Sequence, residues 1–313
     1  MRQKVVGSMA LCLLGEEKSE SNIRLLEEAK SFFDKVYFAP ISGVSIGMKD
    51  KFSIMHKSVD LTTFDAVFPR VPRRLYNYSY QLLSMFPPER FMAIPPVAFL
   101  IAAERFFLLT VLKKRGINVL NTKLARSPEA AYRLLDEAEF PIIIRVPGQK
   151  TGVVANKASE AKTIIGAISS LDHPVLLEEP VKNVASLYIT EPEVLASVRT
   201  VSKEVDLIFG QGEMKKFKPD METQDIALET ARAMDSSVMR VDISLNGSPK
   251  VVNIELNPEL TKPSGVSGVN IPRVIMKTVH ENYKNHLEKP VLVKLFEDAK
   301  SVMRDVFNDK HLL

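Results

Sequence analysis

The sequence predicts a protein of mixed class, with a mainly parallel α/β domain at the N-terminus followed by α+β segments that carry antiparallel strands. Strand-like apolar runs alternate with helical periodicity through roughly the first 95 residues, an order typical of a parallel sheet covered by helices. Period-two alternation flanks Asn246-Gly247, a dipeptide that favours a tight hairpin. The chain has 313 residues, more than a single core usually holds, so several domains are expected.

Residues 1–95 are expected to form the parallel α/β domain. Its first strand is the apolar run at 5–14, and a helix is predicted at 21–33 because apolar residues recur there at helical spacing. Further strands are predicted at 36–38, 51–56 and 64–68, and a second helix at 75–85.

Residues 96–175 and 176–270 are expected to form two further domains, and residues 271–313 a mostly helical, polar tail. A single long helix is predicted at 97–115, ending before Gly116. Ser127-Pro128 predicts the start of another helix, because Ser caps helix N-termini and Pro fits the first turn. Strands are predicted at 141–146, 153–155 and 175–179, and a hairpin at 238–256.

Composition and charge exclude several function classes. The hydrophobic fraction is 45% and the charged fraction 26%, which is typical of a globular protein and not of a disordered chain. The net charge of +4 does not favour a nucleic-acid partner. The apolar run at 5–14 is shorter than the roughly 20 residues of a membrane span. The single cysteine, Cys12, cannot form an internal disulfide, so a soluble protein of the reducing cytoplasm is expected.

The predicted hairpin carries the most informative chemistry. Alternate residues of a strand share a face, so Asp242 is expected on the same face as Asn253, Glu255 and Asn257. Carboxylate and carboxamide oxygens are the ligands that Mg²⁺ prefers. The alternative is a half-exposed hairpin with a wet face, which gives the same alternation.

A glycine-containing loop follows a predicted strand end at Arg145. It contains Gly148, Lys150 and Gly152, and glycines let backbone N–H groups approach a phosphate closely. The loop lacks the spacing of a Walker A motif. An ordinary polar turn is the alternative.

Two further features have both a functional and a structural interpretation. The strand ending at Glu178-Glu179-Pro180 could offer backbone groups to an adenine edge, or it is a core strand with charged ends. Arg70 and Arg73 lie at the predicted carboxyl edge of the parallel sheet, where ligands of such folds bind, and Arg suits carboxylate recognition. Solvated surface charge is the alternative for these arginines.

In the order of these parts, the sequence resembles the RimK-like ATP-grasp ligases over roughly residues 1–265. Residues 65–70 are similar to the end of that family's N-terminal domain, and residues 125–130 with 140–145 to its central domain. The segments 241–243 and 253–258 are similar to its metal-binding segment, and they are the most specific part of the resemblance.

The resemblance implies an ATP-grasp fold in which two α+β subdomains hold ATP and Mg²⁺. It also implies phosphorylation of a carboxylate by ATP and attack of an amine on the resulting acylphosphate. The carboxylate would belong to a small molecule or a peptide, and the chain could form a homo-oligomer. The implied positions are the metal ligands Asp242, Glu255 and Asn257, the phosphate contacts Arg105 and Arg145, the loop residues Gly148, Lys150 and Gly152, the adenine hinge Glu178, Glu179 and Val181, and Arg199 near the transferred phosphate.

The sequence departs from the family pattern at several points, one of which is a glycine-rich stretch reduced to Gly210-Gln211-Gly212. Both phosphate-contacting lysines are arginines, the glycine loop is shorter, and residues 183–186 replace an Asp-x-Arg segment. Two hypotheses follow. The chain is an active ligase in which Arg70 and Arg73 hold an acidic substrate, or it is an ATP-binding homologue without ligase activity that acts as a regulator or partner subunit. A peptide-binding module that takes no nucleotide is a third class.

Overall fold

The computed structural model describes residues 8–48, 52–149, 151–201 and 213–288. The elements of the N-terminal domain, in chain order, are β1 (Ala10–Gly15), α1 (Glu20–Ala29), β2 (Lys35–Pro40), β3 (Val44–Met48), β4 (Phe52–His56), β5 (Val59–Asp60), β6 (Ala66–Arg70), α2 (Tyr76–Leu83) and β7 (Phe91–Met92).

The main sheet of this domain is parallel throughout, as predicted. Its strand order is β2-β1-β6-β7, and β1 pairs with both β2 and β6. Strand β1 is buried along almost its whole length, as expected for a parallel strand covered on both faces. Strand β6 ends at Arg70, so this arginine lies at the carboxyl edge of the sheet, as predicted.

The strand predicted at 51–56 does not belong to the parallel sheet. It is β4, which pairs antiparallel with β3 and β5 in a separate three-stranded sheet. The alternation of strand and helix along the chain indicated the wrong sheet here, because the partners of β4 are its neighbours in sequence.

The helix predicted at 97–115 is also wrong in one respect, because two helices occupy this stretch. They are α3 (Pro96–Ala103) and α4 (Arg105–Lys114), separated by Glu104 with extended backbone at φ −113° and ψ 119°. The carbonyl of Ala102, in the last turn of α3, accepts a hydrogen bond from Arg73 at 3.2 Å. A side chain of another element therefore satisfies the helix end, so nothing in the local sequence indicates the break.

The central sheet has the order β10-β9-β11-β8 and is antiparallel in all its pairs. The Ser127 side chain caps its first helix by accepting from the backbone N–H of Ala130, as predicted. The sheet continues to Glu178, beyond the predicted domain boundary at residue 175. Its elements are β8 (Thr122–Ala125), α5 (Pro128–Leu135), β9 (Ile142–Arg145), β10 (Val153–Ala155), α6 (Ala158–Ser169) and β11 (Val175–Glu178).

The C-terminal sheet has five antiparallel strands in the order β14-β13-β12-β15-β16. The predicted hairpin is confirmed as β15 and β16, and Gly247 in its turn has a φ of +75°. The elements are β12 (Asn183–Thr190), β13 (Glu193–Val201), β14 (Glu213–Lys216), α7 (Met221–Ala233), β15 (Val238–Ser244), β16 (Lys250–Glu255), α8 (Thr261–Ser267) and α9 (Ile271–Glu288).

Helix α9 is the described part of the predicted helical tail, and the rest of that tail lies outside the described residues. Within the described ranges, no helix has both the length and the apolar character needed to cross a lipid bilayer.

Candidate functional site

One face of the β15–β16 hairpin carries a cluster of buried and half-buried charged and polar side chains. Arg240 pairs with Glu255, and Asp242 pairs with Asn253, so these four residues share a face. Ser186 pairs with Asp242 from the neighbouring strand β12 and extends the same face. The predicted shared face of Asp242, Asn253 and Glu255 is therefore confirmed by the strand register.

Asp242 is completely buried and is surrounded by donors. Its Oδ1 accepts from Ser186 Oγ at 2.6 Å. Its Oδ2 accepts from Arg240 Nη2 at 2.8 Å and from Asn253 Nδ2 at 2.9 Å. One further lone pair remains on Oδ1 by ordinary carboxylate valence, so Asp242 can still contribute an oxygen to a cation.

Arg240 is a residue of this site that the sequence reasoning did not single out. Burial disfavours the charged form of Arg240, but electrostatic attraction to Asp242, and to a smaller extent to Tyr188, outweighs burial. The pKa of the guanidinium is therefore raised above its usual value. The signal was present in the sequence, because Arg240 and Asp242 lie two residues apart on one strand face. Only the structure shows that the two side chains form an ion pair.

Glu255 is held by the N-terminal domain. Tyr76, at the start of α2, donates from its Oη to Glu255 Oε1 at 2.7 Å and accepts from the backbone N–H of Leu256 at 3.1 Å. The backbone N–H of Asn257 also donates to Glu255 Oε1, at 3.1 Å. Burial opposes ionisation of Glu255, but Arg73 and Arg240 outweigh it and lower the pKa of the carboxyl.

The two arginines predicted to hold a substrate lie beside this face. Arg73 Nη2 donates to Asn253 Oδ1 at 2.9 Å and also to the backbone carbonyl of Ile254. Arg70 donates from Nε to Asn22 Oδ1 at 3.2 Å and from Nη2 to the Pro258 carbonyl at 2.7 Å.

Arg70 is a buried cation that can donate a further hydrogen bond. Its side chain is almost fully buried, and its Nη1 has no hydrogen-bond partner among the described residues. Burial lowers the pKa of Arg70 to about 10, with Glu255 acting in the opposite direction. The guanidinium therefore stays charged at neutral pH, and a buried unpaired donor of this kind suits an anionic group.

The predicted phosphate-contacting arginines meet on one buried carboxylate. Arg105 Nε donates to Glu178 Oε1 at 2.5 Å, and Arg145 Nε donates to Glu178 Oε2 at 2.7 Å. Arg105 also donates from Nη1 to the carbonyl of Val252 on β16 at 2.5 Å. Burial raises the pKa of Glu178, but the two arginines outweigh burial and lower it below its usual value.

The predicted adenine hinge lies beside an apolar cluster. Glu179 Oε1 accepts from Lys250 Nζ at 2.7 Å and from the backbone N–H of Asn121 at 3.1 Å, so its carboxylate is held at the hairpin. The hinge residue Val181 is buried. It belongs to a cluster whose other members are Leu109, Leu120, Val184 and Val252.

The glycine loop packs closely against β9. A Cβ at Gly152 would lie 2.7 Å from Ile143 Cγ2 and 2.8 Å from Arg145 Cγ, so the close approach requires glycine. Gly148 has a φ of +80°, which also favours glycine. Lys150 lies outside the described residues.

The structure does not bring Arg199 to the carboxylate face. Arg199 pairs with Ala185, and Ala185 pairs with Ile243, whereas Asp242 belongs to the adjacent row of residues. Strand alternation therefore puts Arg199 on the other face of the sheet, where its Nη2 donates to Asn183 Oδ1 at 2.9 Å.

The donor set fits a hard divalent cation. Within the described ranges there is no group of three or more His, Cys, Asp or Glu side chains that could hold a metal. The candidate site instead offers two carboxylates, Asp242 and Glu255, with the carboxamide of Asn257 two residues after Glu255. The hydrogen bonds that Glu255 accepts from described residues fall on Oε1, which leaves Oε2 for a cation. Mg²⁺ typically takes one or two carboxylates and completes its shell with phosphate and water.

Comparison with known proteins identifies the family. The family model of the RimK-like ATP-grasp domain matches residues 102–279, more than half of the chain. A probable alpha-L-glutamate ligase of Thioalkalivibrio sulfidiphilus (strain HL-EbGR7) is 24% identical over 298 residues, which cover 89% of this chain and 97% of that protein. The ribosomal protein bS6–L-glutamate ligase of Escherichia coli O81 (strain ED1a) is 25% identical over 250 residues, covering 74% and 81% of the two chains.

A solved structure shares the fold. The ATP-grasp ligase PsnB, complexed with a phosphomimetic variant of minimal precursor, Mg and ADP, matches with a TM-score of 0.69 at 15% identity, covering 88% of this chain and 99% of that one. The predicted ATP-grasp fold with an N-terminal parallel α/β domain is confirmed. The predicted class, an ATP-dependent ligase that forms C–N bonds, agrees with the family and with the ligases among the relatives. The chain belongs to the RimK-like ATP-grasp family.

Proposed function

We propose that the protein is an ATP-dependent ligase that joins a carboxylate to an amine through an acylphosphate, at the face formed by β15 and β16. The observation that carries the proposal is the set of contacts along β16. Arg105 binds the carbonyl of Val252, Arg73 binds Asn253, and Tyr76 binds Glu255. Two arginines and a tyrosine from two other parts of the chain therefore bind within four consecutive residues of one strand.

The nucleotide would lie along this strand. The apolar cluster around Val181 suits the flat surface of an adenine ring, and the backbone at 179–181 offers groups for its polar edge. Arg105 and Arg145 would contact the phosphates. The glycine loop, packed on the stem of Arg145, would cover them.

Asp242, Glu255 and Asn257 would hold magnesium. Bound there, the ion would supply positive charge to the phosphate oxygens. Tyr76 fixes one oxygen of Glu255, and Ser186, Arg240 and Asn253 fix Asp242, so the ligands would be oriented before the ion arrives.

Arg70 and Arg73 would hold the carboxylate substrate near Glu255. A carboxylate oxygen attacks the γ-phosphorus, and ADP leaves with the electrons of the broken P–O bond. The amine nitrogen then attacks the acyl carbon, phosphate leaves, and the nitrogen loses a proton. The contribution of Arg70, Arg73 and Arg240 is to position these groups and to neutralise negative charge.

A second candidate function is ATP binding without ligase activity, in a regulator or partner subunit. One observation favours it. Asp242 already accepts three hydrogen bonds, one of them from Arg240, which neutralises its charge. A carboxylate neutralised in this way binds a cation less strongly than one that carries its full charge.

The substrates and location are proposed from the relatives and from the composition. Because the two curated relatives described above are glutamate ligases, glutamate is the first amino acid to test, together with peptides that end in a carboxylate. We assign the protein to the cytoplasm, since its single cysteine suits a reducing compartment.

ADP release tests the proposal. The protein would be mixed with ATP, Mg²⁺ and a panel of amino acids, acidic metabolites and short peptides, singly and in pairs. If the protein is a ligase, we expect ADP release that requires both an acid and an amine. This release should be lost in the Glu255→Gln variant. The matched control is Glu28→Gln, which removes an arginine–carboxylate pair with Arg273 outside the site and is expected to keep activity.

Two results would contradict the proposed ligase activity. ATP binding without turnover of any substrate pair would favour the regulator. The absence of metal-dependent ATP binding would overturn both functions.

A further inference from the structure

Glu178 is the centre of a three-residue charge cluster at the proposed phosphate site. Each carboxylate oxygen accepts from the Nε of one arginine, Oε1 from Arg105 and Oε2 from Arg145. The side chain of Glu178 is fully buried, and those of Arg145 and Arg105 are 2% and 11% exposed. The family resemblance implied that Glu178 belongs to the adenine hinge, but its carboxylate contacts the two arginines.

The use of Nε matters because arginine distributes its donors over three nitrogens, whereas lysine has all its donors on one. A guanidinium has five N–H donors in a planar fork, so an arginine that gives Nε–H to a carboxylate keeps four donors on its terminal nitrogens. A lysine carries its three N–H donors on one nitrogen, so a carboxylate and a phosphate that share a lysine must both approach the same atom. The family resemblance implied lysines at positions 105 and 145, and this chain has arginines at both.

Other contacts fix the two guanidinium groups as well. Arg145 pairs with Leu176 across the central sheet, so Arg145 and Glu178 lie on the same face as diagonal neighbours. Gly152 packs against the stem of Arg145. Arg105 also donates from its Nη1 to the carbonyl of Val252. Its side chain therefore connects Glu178 on β11 with β16.

We propose that Glu178 is a positioning residue that binds Arg105 and Arg145 by their Nε atoms and so orients the two guanidinium groups toward the phosphates of the nucleotide. This inference rests on the nucleotide site of the proposed function and adds a residue to it. It gives the arginines at both positions a physical reason, because a guanidinium can bind Glu178 at one nitrogen and a phosphate at another.

The inference predicts that Glu178 acts on the phosphates and not on the adenine. Glu178→Asp keeps the charge but shortens the side chain, so it can no longer reach both Nε atoms. We expect it to weaken ATP binding about fivefold or more and to leave adenosine binding unchanged, with both measured by calorimetry. Equal losses for ATP and adenosine would indicate a general disturbance of the hinge and would overturn the inference.

A pair of variants tests the role of the Nε contact. Arg145→Lys alone should weaken ATP binding, because Glu178 and the phosphate then compete for a single ammonium group. The double variant Arg145→Lys with Glu178→Gln should bind ATP about fivefold more tightly than Arg145→Lys alone, since the lysine is released toward the phosphates. Additive losses in the double variant would contradict the inference.

Two controls keep the result interpretable. Thermal unfolding of each variant shows whether it is folded, and Glu28→Asp shortens a carboxylate that pairs with Arg273 outside the site. A wild-type protein that bound no ATP would overturn the proposed function and this inference together. Normal ATP binding that did not respond to the Glu178 variants would overturn this inference alone.

Discussion

At the scale of single residues, the site consists of buried charges that neutralise one another. Asp242 is paired with Arg240, and Glu178 with Arg105 and Arg145. Removing one partner of a buried pair typically costs about 3–5 kcal/mol, because the other charge is left uncompensated. Conservative variants are therefore more informative than alanine at these positions.

Tyr76→Phe removes the hydroxyl that donates to Glu255 Oε1 and accepts from Leu256 N–H. We expect a loss of about 1–3 kcal/mol of stability, because two buried groups lose their partner. We also expect a higher Mg²⁺ requirement for ADP binding, since Glu255 loses its orientation. Titration of Mg²⁺ at fixed ADP measures this effect.

The matched control for Tyr76→Phe is Tyr78→Phe, which changes an exposed tyrosine of the same helix. It is expected to alter neither stability nor the Mg²⁺ titration. An unchanged Mg²⁺ curve in Tyr76→Phe would show that Tyr76 does not orient a metal ligand.

Glu178 should also make stability depend on pH. Its pKa in the folded protein is lowered from the ordinary value of 4.5, so the folded state binds the proton less tightly than the unfolded state. The contribution of Glu178 to stability is therefore present above pH 4.5 and is lost as the pH falls through the lower, folded-state pKa. The stability difference between wild type and Glu178→Gln, followed by urea unfolding from about pH 7 to pH 3, should shrink toward the acid end. A difference that stays constant would contradict the pairing of an ionised Glu178 with Arg105 and Arg145.

At the scale of elements, close approaches of the backbone fix the loop and the strands around the site. Gly152→Ala would put a Cβ within 2.8 Å of Ile143 Cγ2 and of Arg145 Cγ. We expect a loss of about 1–3 kcal/mol of stability from overpacking, together with weaker ATP binding because Arg145 must move. Thermal unfolding and calorimetry measure the two effects.

Gly265→Ala is the control for that substitution. It lies in α8 with no atom within 4 Å of the added Cβ, so it should leave ATP binding unchanged and raise stability by about 0.5–1 kcal/mol. If Gly152→Ala had as little effect on ATP binding as this control, the close contact with Arg145 would have no role in the site.

Some features of these elements could be predicted from the sequence, and others could not. The shared face of Asp242 and Glu255 was predictable, because alternation along a hairpin is a local property. The break at Glu104 was not, since the carbonyl of Ala102 finds its partner in Arg73, 29 residues earlier in the chain. Arg240 lies two residues from Asp242 on the same strand face, but alternation alone could not predict the ion pair between them.

At the scale of the whole molecule, contacts across sheets close the site. Tyr76 and Arg70 of the N-terminal domain bind Glu255 and the Pro258 carbonyl, more than 170 residues later in the chain. Arg105 links the central sheet, through Glu178, to β16 of the C-terminal sheet. These long-range contacts have no signature in the sequence, because each depends on how separate sheets pack.

The central claim is that Asp242 and Glu255 hold magnesium beside the triphosphate of ATP. Its most direct test is calorimetric binding of ATP to the wild type and to Glu255→Gln, each with and without Mg²⁺. We predict that Mg²⁺ tightens ATP binding to the wild type and that this gain is lost in Glu255→Gln, while adenosine binds both proteins equally. ATP binding that is independent of Mg²⁺ in the wild type, or a full Mg²⁺ response in Glu255→Gln, would contradict the account.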